Sequence, residues 1–118
     1  MFSENHGSCI AACYACATVC DRCAVACFED HDRQELARCI RLVMDCAQLC
    51  QSAAALMSRH SEFVDTVCEA CAEICSACAI ECSHHDVKHC RQCADACVRC
   101  ASLCRAVARQ VQTGAAYA

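Results

Sequence analysis

The sequence predicts an all-α protein: an antiparallel, up-down-up-down four-helix bundle with a cysteine-lined core. The first observation is the scarcity of turn residues, since the 118 residues include no proline and only two glycines, Gly7 and Gly114. A β protein would need such residues at intervals of roughly 8–12 positions. The second is the abundance of alanine, the strongest helix former. The third is the spacing of the cysteines, which follows a helical period.

The nineteen cysteines fall into four groups along the chain. In order, the groups are Cys9, Cys13, Cys16, Cys20, Cys23 and Cys27; Cys39, Cys46 and Cys50; Cys68, Cys71, Cys75, Cys78 and Cys82; and Cys90, Cys93, Cys97, Cys100 and Cys104. Within the first, third and fourth groups the spacing alternates strictly between three and four residues, which is the a/d seam of a heptad repeat. The second group follows the same scheme once Leu36, Val43, Ala53 and Met57 are added.

One helix is therefore expected for each cysteine group. The expected ranges are about 4–29, 33–58, 62–83 and 87–111. Asp32 followed by Glu35 is typical of a capping box for the second helix. Ser61 is expected to open the third helix and Asp86 the fourth. Linkers this short force antiparallel neighbours, and residues 1–118 leave room for a single domain with one core.

Composition and charge argue against several classes of function. The net charge is −4 and the basic residues are scattered, so no basic surface for nucleic acid is expected. No apolar stretch of the ~18 residues that a membrane span requires is identified, so no membrane association is expected. The N-terminal residues lack the features of an export signal, which predicts a cytoplasmic location. No catalytic triad, phosphate loop or carboxylate pair is evident, so the chain is not expected to be an enzyme.

The cysteine count is the central fact about function. An odd number of cysteines without an export signal argues against a disulfide framework. Helical neighbours are also too far apart for wholesale disulfide pairing without distortion. A core that needed only apolar bulk would not repeat cysteine in unbroken stripes, because leucine fills more volume and does not oxidise. All nineteen cysteines are therefore predicted to be metal ligands.

The identity of the metal follows from charge and geometry. Soft thiolates select Cu(I), Zn or iron–sulfur clusters. Four thiolates around one Zn leave a site of charge −2, and several such sites in a dry core would repel one another. Cu(I) needs only two thiolates, and a cysteine pair three or four residues apart can reach the required span by rotamer choice. Multiple Cu(I) ions are favoured; a Zn(II) buffer, or an iron–sulfur or redox module, stays as the alternative.

The histidines gather near the linkers. Antiparallel topology places His31, His84, His85 and His89 at one end of the bundle, and His31 and His85 extend the cysteine stripes. His84 is interpreted as a solvated polar residue. For His31, His85 and His89 two interpretations stand: solvated linker residues, or ligands that catch an entering ion. The opposite end collects apolar residues on the seam, with His6 and His60 nearby; these apolar residues are Met57, Val64, Val107 and Val111.

The cysteine pattern resembles the cytosolic branch of the copper storage proteins. The resemblance spans residues 3–111 and is carried by stripes such as Cys9-x₃-Cys13-x₂-Cys16-x₃-Cys20-x₂-Cys23-x₃-Cys27. It implies a cytosolic protein that stores or buffers many Cu(I) ions along its core. It also implies a homotetramer, an assembly that the sequence by itself does not indicate.

Overall fold

Four helices account for nearly all of the described chain. The computed structural model describes the backbone of residues 3–115 and the side chains of residues 6–109. The helices are α1 (Ser3–Glu29), α2 (Ala37–Ser58), α3 (Val64–Ser83) and α4 (Lys88–Ala115). Residues 3–115 contain no strand. The predicted fold class is confirmed.

The antiparallel arrangement can be read from the sulfur atoms alone. Near the start of α1, Cys9 contacts Cys104 of α4; near the end of α1, Cys27 contacts Cys90 of α4. The residue numbers of the contacting cysteines on α4 thus fall as those on α1 rise, which is the pattern of antiparallel helices. The α2–α3 pair behaves likewise: Cys39 contacts Cys82. Each helix packs against two neighbours, α1 and α3 both lying between α2 and α4.

The cysteines form the centre of the bundle. None of the nineteen is more than 1% exposed. Alanines such as Ala17, Ala47 and Ala72 are also buried and allow the helices to approach closely. Acidic residues that lie off the cysteine seam, including Asp21 and Glu69, are exposed. The heptad pattern therefore assigned the inner and outer faces correctly.

The start of α2 was predicted four residues too early. Residues 31–36 form successive turns, in which the amide of Glu35 donates to the carbonyl of Asp32 at 3.0 Å. The residue before α2 is Leu36, which makes no side-chain cap hydrogen bond. The capping box at Asp32 and Glu35 was therefore wrong. Leu36 is only 4% exposed, so burial of an apolar side chain fixes the beginning of the helix.

The other two predicted helix starts are close to the observed ones. Ser61 accepts a hydrogen bond from the amide of Phe63 at 3.0 Å, and α3 begins one residue later, at Val64. Asp86 precedes α4, which begins at Lys88, and its carboxylate pairs with the side chain of Arg91. Both acceptors lie in the linkers just before their helices. The short linkers place consecutive helices side by side.

The expectation that no segment is apolar enough to span a membrane was wrong. The part of α1 from His6 to Glu29 is long and apolar enough by length and composition. Its six cysteines and several alanines supply that apolarity, and all six cysteines are buried against the other helices. Length and composition alone are weak support for a span, because a core helix or a signal sequence also meets them.

Met57 tests whether the apolar core holds the fold without metal. The reduced, metal-free protein should be helical, because protonated cysteine packs as a small apolar group. Met57 is 1% exposed, so Met57→Ala should lower the free energy of unfolding by roughly 2–5 kcal/mol. Met44 is 57% exposed, so Met44→Ala should change it by no more than about 0.5 kcal/mol. Urea unfolding followed by circular dichroism measures both; equal effects would contradict the assignment of Met57 to the core.

Candidate metal centre

The buried thiols form a continuous column along the bundle. All nineteen cysteines are free in the structure. Their Sγ atoms approach across the helix interfaces, at 3.4 Å between Cys46 and Cys75 and 3.5 Å between Cys9 and Cys104. Such distances are well beyond a disulfide bond of about 2.05 Å. They are somewhat shorter than the roughly 3.8–4.5 Å between two thiolates on one metal ion, so these pairs must spread slightly when an ion binds.

Neighbouring thiols occur both within helices and between them. Same-helix contacts join cysteines four residues apart, for example Cys16 with Cys20 at 3.9 Å and Cys78 with Cys82 at 3.9 Å. Sequence reasoning had considered only same-helix pairs. The shortest contacts instead cross between α1 and α4 or between α2 and α3. Helix pairing, rather than spacing along one helix, therefore sets the tightest sulfur pairs.

The column divides into overlapping groups of four thiols. Within each group all four Sγ atoms lie within 4.8 Å of one another. Such groups include Cys13 with Cys71, Cys100 and Cys104; Cys16 with Cys46, Cys50 and Cys75; Cys16 with Cys20, Cys46 and Cys97; Cys20 with Cys78, Cys93 and Cys97; and Cys23 with Cys27, Cys39 and Cys90. Cys16, Cys20, Cys46 and Cys97 each belong to two of these groups. A thiolate in two groups can bridge two metal ions.

The sulfur distances favour shared coordination over isolated linear sites. With a metal–sulfur length near 2.3 Å, a linear site needs its sulfurs about 4.5 Å apart, and a trigonal site roughly 4.0 Å. The observed same-helix separations of 3.8–4.0 Å lie close to the trigonal value. Three-coordinate ions bound in these overlapping groups share a sulfur wherever one cysteine belongs to two groups.

Burial and hydrogen bonding set the proton affinity of the thiols. Desolvation raises the pKa of Cys27 to about 11, and it also raises the pKa of Cys90. Hydrogen bonds from Cys23 and Cys82 instead lower the pKa of Cys39. Cys27 and Cys90 therefore carry protons at neutral pH, and each must release its proton when a metal–sulfur bond forms.

Three histidines were predicted to lie together at one end, and the structure gives each a different setting. His89 is half-buried, and its Nε2 lies 3.3 Å from the Sγ of Cys27. His85 is also half-buried, but its Nε2 lies 2.7 Å from a carboxylate oxygen of Glu81. His31 is exposed in the turns between α1 and α2. Of these three histidines, only His89 contacts a thiol of the column.

Glu81 ties this end of the bundle together. Besides His85, its carboxylate accepts a hydrogen bond from Arg38 at 2.8 Å. The hydrogen bonds from His85 and then Arg38 hold the pKa of Glu81 below its ordinary value. Because Nε2 of His85 is hydrogen-bonded to the carboxylate of Glu81, Nδ1 is the ring nitrogen available to a metal ion. Sequence reasoning missed Glu81, although its position four residues before His85 was a usable signal.

An acidic cleft opens beside these histidines. Its volume is about 290 Å³, and its lining includes Asp30, Asp32, Glu35 and Asp86 together with His84 and His85. His31 lies in a second surface cleft with residues 32–35. Acidic side chains around an opening raise the local concentration of cations.

The opposite end is closed by apolar side chains and one histidine. Met57, Val64 and Val107 are each at most 2% exposed; Val111 lies outside the described side chains. His6 is 4% exposed, the one buried polar residue among the described side chains. Sequence reasoning had placed His6 only near this end. Its position three residues before Cys9, in step with the cysteine stripe, was the signal that it faces inward.

A four-helix bundle with a column of free, buried thiols has the features of a protein that holds soft metal ions in its core. The sequence model of the copper storage proteins matches residues 2–109, and the chain belongs to that family. It is 43% identical over 82 residues to the cysteine-rich protein YhjQ of Bacillus subtilis strain 168, an uncharacterised protein. That match covers 70% of this chain and 76% of the relative.

Solved structures that share this fold include two copper storage proteins. The Cu(I)-bound copper storage protein BsCsp3 is 41% identical, with a TM-score of 0.85 over 89% of this chain and 99% of that one. The copper storage protein Ccsp of Streptomyces lividans, loaded with 10 copper equivalents, is 39% identical. Its TM-score is 0.87 over 90% of this chain and 85% of that one.

Proposed function

We propose that this protein is a cytosolic store and buffer that holds many Cu(I) ions on its core-facing cysteine thiolates. The observation that carries the proposal is the set of overlapping four-sulfur groups along the bundle axis. Because the groups share Cys16, Cys20, Cys46 and Cys97, a filled column is a chain of linked sites rather than a row of separate ones. A protein with such a column gains capacity with each added group.

Charge distinguishes Cu(I) from Zn(II), whereas distance does not. A tetrahedral ion at 2.3 Å from sulfur needs sulfurs about 3.8 Å apart, which the column also provides. A Zn(II) bound by four thiolates, however, leaves a charge of −2 in a dry interior at each site. When one Cu⁺ enters for each thiol proton that leaves, the core stays neutral. The core can therefore fill with Cu(I) without accumulating charge.

The relatives support Cu(I) as the cargo and the cytosol as the location. BsCsp3 has been seen with Cu(I) bound, and a Streptomyces lividans structure concerns copper loading to a cytosolic copper storage protein. This chain carries the same fold at about 40% identity. We assign it the same non-enzymatic role, with Cu(I) as cargo and not as a catalytic cofactor.

Metal enters, in this proposal, at the end that carries His31, His85 and His89. His89 supports the route most directly, because it touches Cys27 at 3.3 Å and is half-buried between solvent and the column. The acidic cleft attracts the cation, His89 binds it, and Cys27 or Cys90 receives it. His85, oriented by Glu81, offers a second nitrogen nearby.

We also propose that the chain assembles as a homotetramer, as the family resemblance implies. Apolar side chains on the outer surface support an assembly. Tyr14, Val25 and Phe28 lie on the outer face of α1, between 50% and 66% exposed. Ile80 of α3 and Val98 of α4 are about as exposed, at 61% and 60%. Burying such residues between copies is favourable.

The first test of function is capacity. Anaerobic titration of the reduced metal-free protein with Cu(I) should give well over four ions per chain. For two-coordinate ions the limits are about 9 if no sulfur is shared and about 19 if every sulfur bridges two ions; for three-coordinate ions with every sulfur bridging, the limit is about 12. Saturation at one or two ions per chain would contradict storage.

The second test concerns the entrance. Replacing His31, His85 and His89 together by Ala should slow initial Cu(I) uptake and leave capacity near that of the wild type. Since His89 alone contacts the column, His89→Ala should account for most of the loss. Stopped-flow absorbance of the copper–thiolate bands measures the rate, and His84→Ala is the matched control on an exposed histidine. Wild-type kinetics in the triple variant would place the entrance elsewhere.

A further inference from the structure

Two histidines meet at the end of the bundle opposite the acidic cleft. The rings of His6 and His60 stack, with centroids 6.4 Å apart and planes 23° from parallel. His60 is exposed, whereas His6 is 4% exposed. The pair therefore leads from solvent to the interior, with one imidazole on each side of the boundary.

The backbone holds His60 in position by an unusual conformation. His60 follows α2 and has φ of 54°, the one non-glycine residue with positive φ in the described chain. Its amide donates to the carbonyl of Met57 at 3.1 Å, and the next amide, Ser61, donates to Leu56 at 3.0 Å. This is the Schellman pattern that ends many helices, and glycine is the usual residue at this position. Histidine here fixes an imidazole where glycine would satisfy the backbone more readily.

His6 connects this pair to the thiol column. It lies on α1 one turn before Cys9, which is fully buried and lies 3.5 Å from the Sγ of Cys104. Burial, followed by the charge of His60, lowers the pKa of His6, while the neighbouring Cys9 opposes that shift. The ring of His6 is thus a neutral imidazole at neutral pH, the form that binds copper. The order from solvent inward is His60, His6, Cys9, Cys104.

We propose that His60 and His6 form a second copper port, at the opposite end of the column from the His89 entrance. The proposal rests on the storage function above. His60 receives Cu⁺ from solvent or from a soluble carrier, and His6 receives it next and passes it to Cys9 and Cys104. Copper stays in the +1 state throughout. Each thiol that binds copper loses its one proton, whether its sulfur bonds to one ion or to two, so binding to Cys9 and Cys104 releases two protons to water at the mouth.

Two ports would let metal reach both halves of a long column. Cys9, Cys13 and Cys104 lie near the His6 end, whereas Cys27, Cys39 and Cys90 lie near the other. An ion that enters only beside His89 must pass from site to site along the whole column to reach Cys9. A port at His6 removes that step.

The test uses anaerobic stopped-flow uptake of Cu(I) by the reduced, full-length protein, and the probe is Cu(I) in a weak chelator. Four variants are made in a His89→Ala background, which slows the first entrance. His60→Gly removes the imidazole and relieves the backbone at φ of 54°, so the fold should be at least as stable. His6→Phe keeps a ring of similar size in the buried position. His84→Ala and Met44→Ala are exposed controls.

In that background His60→Gly and His6→Phe should each slow initial uptake by roughly tenfold, the scale on which changes around a metal ligand act. Capacity and the thermal unfolding midpoint of the metal-free His60→Gly variant should not fall, and the controls should match the background. Unchanged uptake in both variants, with full capacity, would overturn the port alone. A wild-type capacity of one or two ions would overturn storage, and the port with it.

Discussion

The structure depends on one constraint, that a thiol is small and apolar when protonated and a strong soft ligand when ionised. Nineteen such groups fill the space between four helices, with Sγ separations of 3.4–4.0 Å. Protonated, they pack like other small buried side chains, so the bundle needs no charge compensation to fold. Exchange of each proton for Cu⁺ leaves the charge of the core unchanged. The same packing can therefore hold both the empty and the filled column.

The two ends of the bundle show what this constraint demands of the rest of the chain. A dry column needs places where a hydrated ion can lose its water, and imidazole is a ligand intermediate between water and thiolate. At one end, His89 contacts Cys27, and Glu81 orients His85. At the other, the buried ring of His6 lies under the exposed ring of His60. Elsewhere the outer faces carry polar and charged residues together with exposed apolar side chains such as Val25 and Phe28, which lie away from the column.

The sequence predicted the parts of this structure that follow from the helical periodicity of its cysteines. Alternating spacings of three and four placed every cysteine on an inner face, and the short linkers made the helices antiparallel. The start of α2 could not be predicted this way, because the burial of Leu36 outweighed the capping pattern at Asp32 and Glu35. Cross-helix pairs such as Cys46 with Cys75 depend on the rotation of each helix, which spacing along one chain does not specify. The inward position of His6 could have been predicted, because His6 lies three residues before Cys9, in step with the cysteine stripe.

The central claim is that the thiolates are shared, so that filled sites are linked along the column. X-ray absorption at the copper edge of the fully loaded protein tests it most directly. The account predicts a first shell dominated by sulfur, with copper–copper scattering at short distance, because thiolates such as Cys16 and Cys97 bridge neighbouring ions. A first shell dominated by nitrogen or oxygen, or sulfur-ligated copper without any copper–copper scattering at full loading, would contradict it.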